Sequence, residues 1–381
     1  MAKILLPEDE IHLQEIEKDI RNKFRWEWLD KQVPTSVKVG AINTKNITNN
    51  LAAFIKKVEL PDNDAQQNKT DPVPNTEKRK NEVENEHIKK VKLSIFDINY
   101  CVAERQGERN DMQDAHVVCE DFKSHVSDLD LSVCRLSLYG LFDGHGGARA
   151  SQFCSETLHL KVAKHFPKDA GPNFGRDLKT CLIDSFTETD KEFLHKAKQA
   201  KPSWKDGSTA IICLIIDNTL YVANVGDSKA ILCRQAKTSG ALHPIVLSTD
   251  HSPTLYEERL RIQKNGGTVR DGRVMGILEV SRSIGDGQYK SFGISCIPVV
   301  KKCSLTSNDR FVIMACDGLW KVFSPQEVAT KLENLLNDIT KNNLELSEIK
   351  SRCEKACTDL ANEAVRNGCE DNVTILLLHI S

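Results

Sequence analysis

Apolar residues follow two different periodic patterns in the last three quarters of the chain. Short, nearly continuous apolar runs end at Asp or Gly turns and predict buried β-strands at 136–142, 209–216, 220–225, 230–233, 311–316 and 373–380. Longer stretches with helical spacing predict helices at 148–165, 174–200, 256–265, 325–336 and 347–367. The Asp217-Asn218 pair between two runs predicts a tight hairpin, and so antiparallel pairing. We therefore expect a mixed α+β domain at 95–381.

The segment before residue 95 has a different character. Apolar positions at helical spacing within 8–32 predict an amphipathic helix in an N-terminal extension, 1–60, which either packs on the body of the protein or binds a partner. Residues 61–94 are polar and poor in aliphatic side chains, which is typical of a disordered linker. Basic clusters at 78–80 and 89–92 resemble a bipartite nuclear import signal, or form an ordinary solvated surface.

Composition narrows the class of protein. The chain has 381 residues, of which 40% are hydrophobic, and a formal net charge of −2, so a globally basic nucleic-acid binder is not expected. No apolar stretch approaches the length of a membrane span, and we expect no membrane partner. The thirteen cysteines are an odd number scattered along the chain, which favours reduced thiols in a cytoplasmic or nuclear protein.

Aspartates stand beside glycines at the ends of three predicted strands. The pairs are Asp143-Gly144, Gly226-Asp227 and Asp317-Gly318, and Asp371 precedes the last strand. One Asp-Gly pair alone predicts only a turn. Several carboxylates delivered to one place would repel one another, and hard divalent cations, which prefer oxygen ligands, relieve that repulsion. The repetition therefore favours a site for Mg²⁺, Mn²⁺ or Ca²⁺.

Two cationic side chains suggest phosphate chemistry near these carboxylates. His145 lies between glycines two residues after Asp143, and an imidazole there can protonate a leaving oxygen at neutral pH. Arg109 suits phosphate because its planar fork donates parallel hydrogen bonds, although alone it predicts a surface salt bridge. The alternation of Met112, Asp114 and His116 predicts a strand.

Seven motifs in order resemble the metal-dependent protein phosphatases of type 2C: GERNDMQDAH, LFDGHGG, DGSTA, VANVGDSKA, LEVSRSIGD, ACDGLW and DNVT. The resemblance covers about residues 98–381 and implies a four-layer α/β/β/α sandwich, with two antiparallel sheets flanked by helices. It implies hydrolysis of phosphoserine and phosphothreonine proteins by a metal-activated water that attacks phosphorus in line. The family also implies a monomer. Segments 201–210 and 256–290 are closest to one kinase-associated branch, which implies a kinase-containing signalling complex as a partner.

The resemblance also implies roles for individual residues. Two Mn²⁺ or Mg²⁺ ions per subunit would be held by four metal ligands, namely Asp143 bridging both ions, the carbonyl of Gly144, Asp317 and Asp371. Arg109 would bind the phosphate oxygens. His145 would be the general acid.

The chain departs from the family pattern at two positions. Gln113 replaces the usual glutamate ligand, and Lys321 replaces an aspartate that many members associate with an extra metal. Asp227 remains available for that extra metal, and Asp114 is interpreted as a residue that orients bound water. These departures leave open a weakly active or inactive pseudophosphatase that acts as a binding or scaffold protein. A metal-dependent nuclease would also explain clustered carboxylates, but the domain has no basic stripe.

Overall fold

The computed structural model describes residues 96–127, 129, 133–168, 171–237, 240–336 and 345–381. The predicted extension at 1–60 with its helix, and the linker at 61–94 with its basic clusters, lie outside the described residues. The domain boundaries therefore stay predictions.

Two five-stranded antiparallel sheets form the centre of the described fold. In spatial order, the first sheet comprises β1 (Ile98–Arg105), β15 (Val373–Ile380), β14 (Asp309–Ala315), β8 (Lys229–Gln235) and β9 (Leu242–Val246). The second sheet comprises β13 (Val299–Ser304), β7 (Thr219–Val225), β6 (Ala210–Ile216), β3 (Leu136–Phe142) and β2 (Ala115–Cys119). Neighbouring strands pair antiparallel throughout both sheets.

Alternate side chains of the interior strands enter two different cores. On β6, Ile211 and Cys213 pack between the two sheets, whereas Ile212 and Leu214 pack toward helices. Because successive side chains of a strand point to opposite faces, both faces of this strand are buried. This double burial explains why the strand is a continuous apolar run in the sequence.

Helices cover the outer face of each sheet. The second sheet carries α1 (Arg149–His165) and α2 (Phe174–Gln199), and the first carries α5 (Pro325–Leu336) and α6 (Leu346–Arg366). The predicted four-layer α+β sandwich is therefore confirmed. Among the described residues, no helix is both long enough and apolar enough to cross a bilayer. All thirteen cysteines are outside disulfide bonds.

Shorter elements lie in the segments that connect the main strands and helices. They are the single-turn helix α4 (Asp317–Trp320), the helix α3 (Tyr256–Lys264), the 3₁₀ turns Phe122–His125 and Lys290–Phe292, the hairpin β10 (Val269–Arg270) with β11 (Arg273–Val274), and a small sheet of β12 (Ile284–Gly285), β5 (Gly207–Ser208) and β4 (Gly144–His145). The small sheet places Gly144 opposite Ser208 and His145 opposite Gly207. It thereby fixes the backbone of the DGHGG motif.

Most local predictions agree with this fold, and one does not. The hairpin is confirmed, with β6 and β7 pairing antiparallel around Asp217, which has a φ of 50°. The strand predicted through Met112 and Asp114 is wrong for those residues, because β2 begins only at Ala115. Before that point the backbone N–H of Gln113 donates to a side chain, Asn372 Oδ1 at 2.8 Å, rather than to a neighbouring strand.

Candidate metal centre

Carboxylates from three strand ends converge on a cavity of about 670 Å³. Asp143 follows β3, Asp317 follows β14, and Asp227 lies two residues after β7. Oxygens of these three carboxylates lie within 4.8 Å of one another. Asp371, which precedes β15, lines the same cavity, as does Gly144. The structure thus brings all four predicted metal ligands and Asp227 to one place.

Glycine is required beside two of these aspartates by close packing. A side chain at Gly144 would collide with the Gln113 carbonyl oxygen, and one at Gly318 would collide with the Asn372 carbonyl oxygen. The backbone at each strand end therefore approaches a neighbouring loop more closely than any other residue type allows. This packing gives the Asp-Gly pairs a structural reason beyond turn formation.

The clustered carboxylates destabilise one another's charged forms. Burial, followed by repulsion from Asp114 and Asp317, raises the pKa of Asp143 well above its usual value. Burial and the Asp317 charge raise the pKa of Asp227 to about 7. Burial also raises the pKa of Asp317. Carboxylate oxygens that repel one another suit a hard divalent cation, so the residues present fit the metal that the sequence resemblance implies.

Lys321 supplies positive charge to the cluster. Its Nζ lies 2.5 Å from Asp317 Oδ2 and 3.5 Å from Asp371 Oδ2. Burial lowers the pKa of Lys321, but the Asp317 carboxylate raises it by more, so the ammonium stays charged. The lysine therefore contacts two of the predicted metal ligands directly.

Gln113 faces the cavity, whereas the neighbouring Asp114 is buried in the protein. Gln113 lines the cavity, and its Oε1 accepts a hydrogen bond from the Gly147 backbone N–H at 3.3 Å. Asp114 is buried, and its Oδ2 accepts from Thr374 Oγ1 at 2.7 Å. Burial raises the pKa of Asp114 to about 6. Asp114 therefore lies behind Asp143, with which its carboxylate is in close contact.

Arg109 reaches the cavity from the loop that follows β1. Its Nη2 donates to Asp371 Oδ2 at 2.9 Å, and its Nε donates to the Glu370 carbonyl oxygen at 3.3 Å. The side chain is 57% exposed, so it is accessible from solvent while it contacts a predicted metal ligand. The surface salt bridge that Arg109 alone predicts is thus present, but within the candidate site.

His145 is paired with a carboxylate that the sequence analysis did not single out. Its Nε2 lies 2.7 Å from Asp286 Oδ2, and the Asp286 side chain is only 2% exposed. Burial lowers the pKa of His145, but the charge and hydrogen bond of Asp286 raise it above its usual value. A signal for Asp286 existed in the sequence, because Asp286-Gly287 is a further Asp-Gly pair.

Asn372 is a second residue that sequence reasoning missed. It is buried, and its Nδ2 donates to the carbonyl oxygens of Gln106 at 2.7 Å and Asp111 at 3.1 Å. Its Oδ1 accepts from the Gln113 backbone. The side chain therefore ties the loop carrying Arg109 and Gln113 to the start of β15.

Comparisons with known proteins agree with the motifs. The model of the protein phosphatase 2C family matches residues 98–373. The chain is 50% identical over 287 residues to the integrin-linked kinase-associated serine/threonine phosphatase 2C of Bos taurus, covering 75% of this chain and 78% of that protein. It is 36% identical over 293 residues to the probable protein phosphatase 2C 8 of Arabidopsis thaliana, covering 73% and 77%.

A solved structure supports the fold in the same way. The serine-threonine phosphatase 2C from Toxoplasma gondii matches with a TM-score of 0.60 at 21% identity, over 76% of this chain and 96% of that one. The resemblance to type 2C phosphatases, and to the kinase-associated branch in particular, is thus confirmed.

Proposed function

The chain belongs to the protein phosphatase 2C family, and we propose that it is an active enzyme that hydrolyses phosphoserine and phosphothreonine in proteins. One observation carries the proposal. The carboxylates of Asp143, Asp227 and Asp317 converge in a cavity that Arg109 and His145 also line. Carboxylates for metal ions, a guanidinium for phosphate and an imidazole for the leaving oxygen are the groups that phosphate-monoester hydrolysis needs.

Divalent ions fit the oxygen donors of the cavity. Asp143, the Gly144 carbonyl, Asp317 and Asp371 would hold Mn²⁺ or Mg²⁺, two ions by the family pattern, and Asp227 lies close enough to contribute. When bound, such ions supply a water nucleophile at neutral pH and neutralise charge on the phosphoryl group. The buried carboxylate of Asp114 behind Asp143 would orient water through hydrogen bonds.

Arg109 binds the phosphoryl oxygens in this proposal. A guanidinium carries five N–H donors, so Arg109 can bind phosphate while it keeps its contact with Asp371. That contact holds the arginine beside the predicted metal ligands. The Arg109 charge stays fixed at any working pH, which suits a dianionic substrate.

His145 donates a proton to the departing serine or threonine oxygen. Its contact with the buried Asp286 carboxylate fixes the position of the ring at the cavity wall. A serine alkoxide is a poor leaving group and depends on this proton, whereas a tyrosine phenolate, with a pKa of about 10, depends on it less. The arrangement therefore favours phosphoserine and phosphothreonine substrates.

The test is phosphate release from a phosphothreonine peptide with Mn²⁺, with Mg²⁺ and with chelator. We expect metal-dependent turnover in the wild type and background rates in Asp143→Asn. Asp177→Asn, a half-exposed position on α2, is the matched control and should retain full activity. Circular dichroism establishes that each variant is folded.

A pseudophosphatase that serves as a scaffold is the second candidate. The contacts of the Lys321 ammonium with Asp317 and Asp371 favour it, because they neutralise two predicted metal ligands without a metal. The neutral amide of Gln113 favours it as well. Folded wild-type protein without turnover at several millimolar Mn²⁺ or Mg²⁺ would establish this reading and overturn the first.

Similarity and the sequence of the first 94 residues support proposals for the partners and the location of the protein. The bovine relative is described as integrin-linked kinase-associated, and for this chain we propose a monomer that joins a kinase-containing signalling complex. We also propose that it resides in the cytoplasm and enters the nucleus through the clusters at 78–80 and 89–92. Alanine substitution of the lysines at 89–92 in a fluorescent fusion should abolish nuclear signal.

A further inference from the structure

Three side chains of metal-ligand type lie together outside the cavity. Cys119 is the last residue of β2, His125 is the last residue of the 3₁₀ turn Phe122–His125, and His159 is on α1. The ligand atoms of the three residues lie within 4.8 Å of one another. Three separate elements therefore deliver one thiol and two imidazoles to a single point.

One imidazole nitrogen of this cluster lacks a hydrogen-bond partner. Nδ1 of His159 is buried and makes no hydrogen bond to any residue that the structure describes. The His125 ring stands edge-on to the His159 ring, with centroids 5.9 Å apart, and stacks on Phe122 at 5.5 Å. A buried polar atom without a partner is costly, and here it belongs to a metal-ligand side chain.

The protonation states also suit a metal. Burial and the nearby His125 lower the pKa of His159. The His159 ring is therefore neutral near pH 7, as an imidazole ligand must be. Burial raises the pKa of the Cys119 thiol, so this cysteine carries its proton until a cation displaces it.

We propose that Cys119, His125 and His159 bind one Zn²⁺ ion, with water as the fourth ligand. Zinc takes thiolate and imidazole ligands in tetrahedral geometry, whereas Mg²⁺ and Mn²⁺ prefer oxygen donors. Binding releases the Cys119 proton to solvent and forms one Zn–S and two Zn–N bonds. With Zn–S about 2.3 Å and Zn–N about 2.0–2.1 Å, the ligand atoms need to close by about 1 Å, and the exposed His125 can supply that movement.

The ion would join two segments that lead away from the cavity. β2 starts at Ala115, directly after Asp114, and α1 starts at Arg149, four residues after His145. A zinc ion between the end of β2 and the middle of α1 would fix these two segments to each other. With three protein ligands the ion would keep one position open to water, and its thiolate and imidazole ligands would distinguish it from the carboxylate cluster.

Cobalt(II) added to the full-length chain is the probe for this site. Thiolate ligation of cobalt produces a charge-transfer band in the near ultraviolet, which carboxylate ligands cannot produce. We expect such a band to saturate at one cobalt per chain and to disappear when zinc is added. Saturating Mg²⁺ should leave the band unchanged, because magnesium does not compete for sulfur.

Variants assign the band to the three residues. Cys119→Ser should abolish it, and His125→Ala, at an exposed position, should raise the cobalt dissociation constant at least about tenfold. The matched control Cys134→Ser removes an exposed thiol and should retain the band. In saturating Mg²⁺, which fills the carboxylate cluster, zinc should also raise the melting temperature of the wild type more than that of His125→Ala.

Two results would overturn the proposal. One is the absence of a cobalt–thiolate band in folded wild-type protein. The other is a band that persists in Cys119→Ser, which would assign the thiolate to another cysteine, such as Cys316 beside Asp114 and Asp143. Circular dichroism of each variant separates loss of metal from loss of fold.

Discussion

Two side chains, Gln113 and Lys321, reduce the negative charge at the metal ligands relative to the family pattern. A neutral amide stands where the family pattern has a carboxylate, and an ammonium contacts Asp317 and Asp371. Both changes make the cavity less negative than the family pattern would. Because metal affinity at such sites follows the charge of the ligands, both substitutions should weaken metal binding.

Restoring a carboxylate at position 113 should strengthen metal activation. We expect Gln113→Glu to lower the Mg²⁺ concentration for half-maximal phosphatase activity by about tenfold, equivalent to about 1.4 kcal/mol. The measurement is a metal titration of activity at fixed pH. Gln288→Glu adds the same charge elsewhere on the cavity wall and should shift the titration much less. Equal curves for wild type and Gln113→Glu would contradict the expectation.

Removing the Lys321 ammonium should have opposite effects with and without metal. In chelator, Lys321→Met removes the ammonium beside Asp317, leaves Arg109 as the cation in contact with Asp371, and should lower the stability by about 1 kcal/mol. With millimolar Mn²⁺, the same variant should bind metal more tightly than the wild type and should gain more in melting temperature. Thermal unfolding in the two conditions tests this. Lys355→Met, on the exposed face of α6, should show no reversal of sign.

The interior strands of each sheet could be predicted from the sequence, whereas most edge strands could not. The six apolar runs correspond to β3, β6, β7, β8, β14 and β15, which are the interior strands of the two sheets. The edge strands β1, β9 and β13 gave no such run, because an edge strand is only partly buried, as in the pattern of β13. Apolar runs in the sequence therefore identify the interior strands of each sheet but not the edge strands.

Of the residues in the candidate site, those at strand ends could be predicted from the sequence. Asp143, Asp227, Asp317 and Asp371 stand at strand ends, where the local pattern marks them. Asp286 and Asn372 act on partners 141 and 259 residues away, His145 and Gln113, and no local pattern encodes such pairs. The ammonium of Lys321 lies one helical turn from Asp317, a contact that the spacing alone permits but does not require.

The helix α3 is held by a buried carboxylate. Glu258 accepts hydrogen bonds from Arg261 Nη2 at 2.7 Å, Arg282 Nη2 at 2.6 Å and Ser281 Oγ at 2.5 Å, and its side chain is 5% exposed. Burial raises the pKa of Glu258, but these hydrogen bonds lower it by more, to well below its usual value. The charged form is therefore favoured in the folded state.

Glu258→Gln should destabilise the fold in a pH-dependent way. A lowered folded-state pKa contributes stability above the unfolded value of about 4.3, and this contribution is lost as the pH falls below it. We expect a loss of about 2 kcal/mol at pH 7, less than for a fully buried pair because both arginines are partly exposed. Urea unfolding at pH 7 and pH 3 should show the difference shrinking. Glu257→Gln, an exposed neighbour, should differ from the wild type at neither pH.

The complete fold brings the beginning and the end of the described chain together at the cavity. β1 pairs with β15 over eight residues, and Asn372 bridges from the start of β15 to the loop after β1. Arg109 contacts Asp371 at the same junction. The site therefore depends on contacts between segments separated by about 260 residues in sequence.

Asn372→Asp tests this junction with almost no change in size. The new carboxylate oxygen would face the carbonyl oxygens of Gln106 and Asp111, which now receive N–H donors. We expect a loss of about 2 kcal/mol in stability and a larger loss of activity at saturating metal. Urea unfolding and peptide dephosphorylation measure the two effects. Asn367→Asp, exposed at the end of α6, should leave both unchanged; a similar loss there would point to a general charge effect.

The position of β15 in its sheet has a consequence during protein synthesis. β15 lies between β1 and β14, and β1 has no other neighbour in that sheet. A ribosome that has translated residues 1–372 has therefore produced almost every group of the cavity, but β1 still has no strand to pair with. The nascent chain cannot close its first sheet until residues 373–380 have left the exit tunnel. The cavity would therefore assemble only when β15 joins its sheet, although its side chains are synthesised earlier.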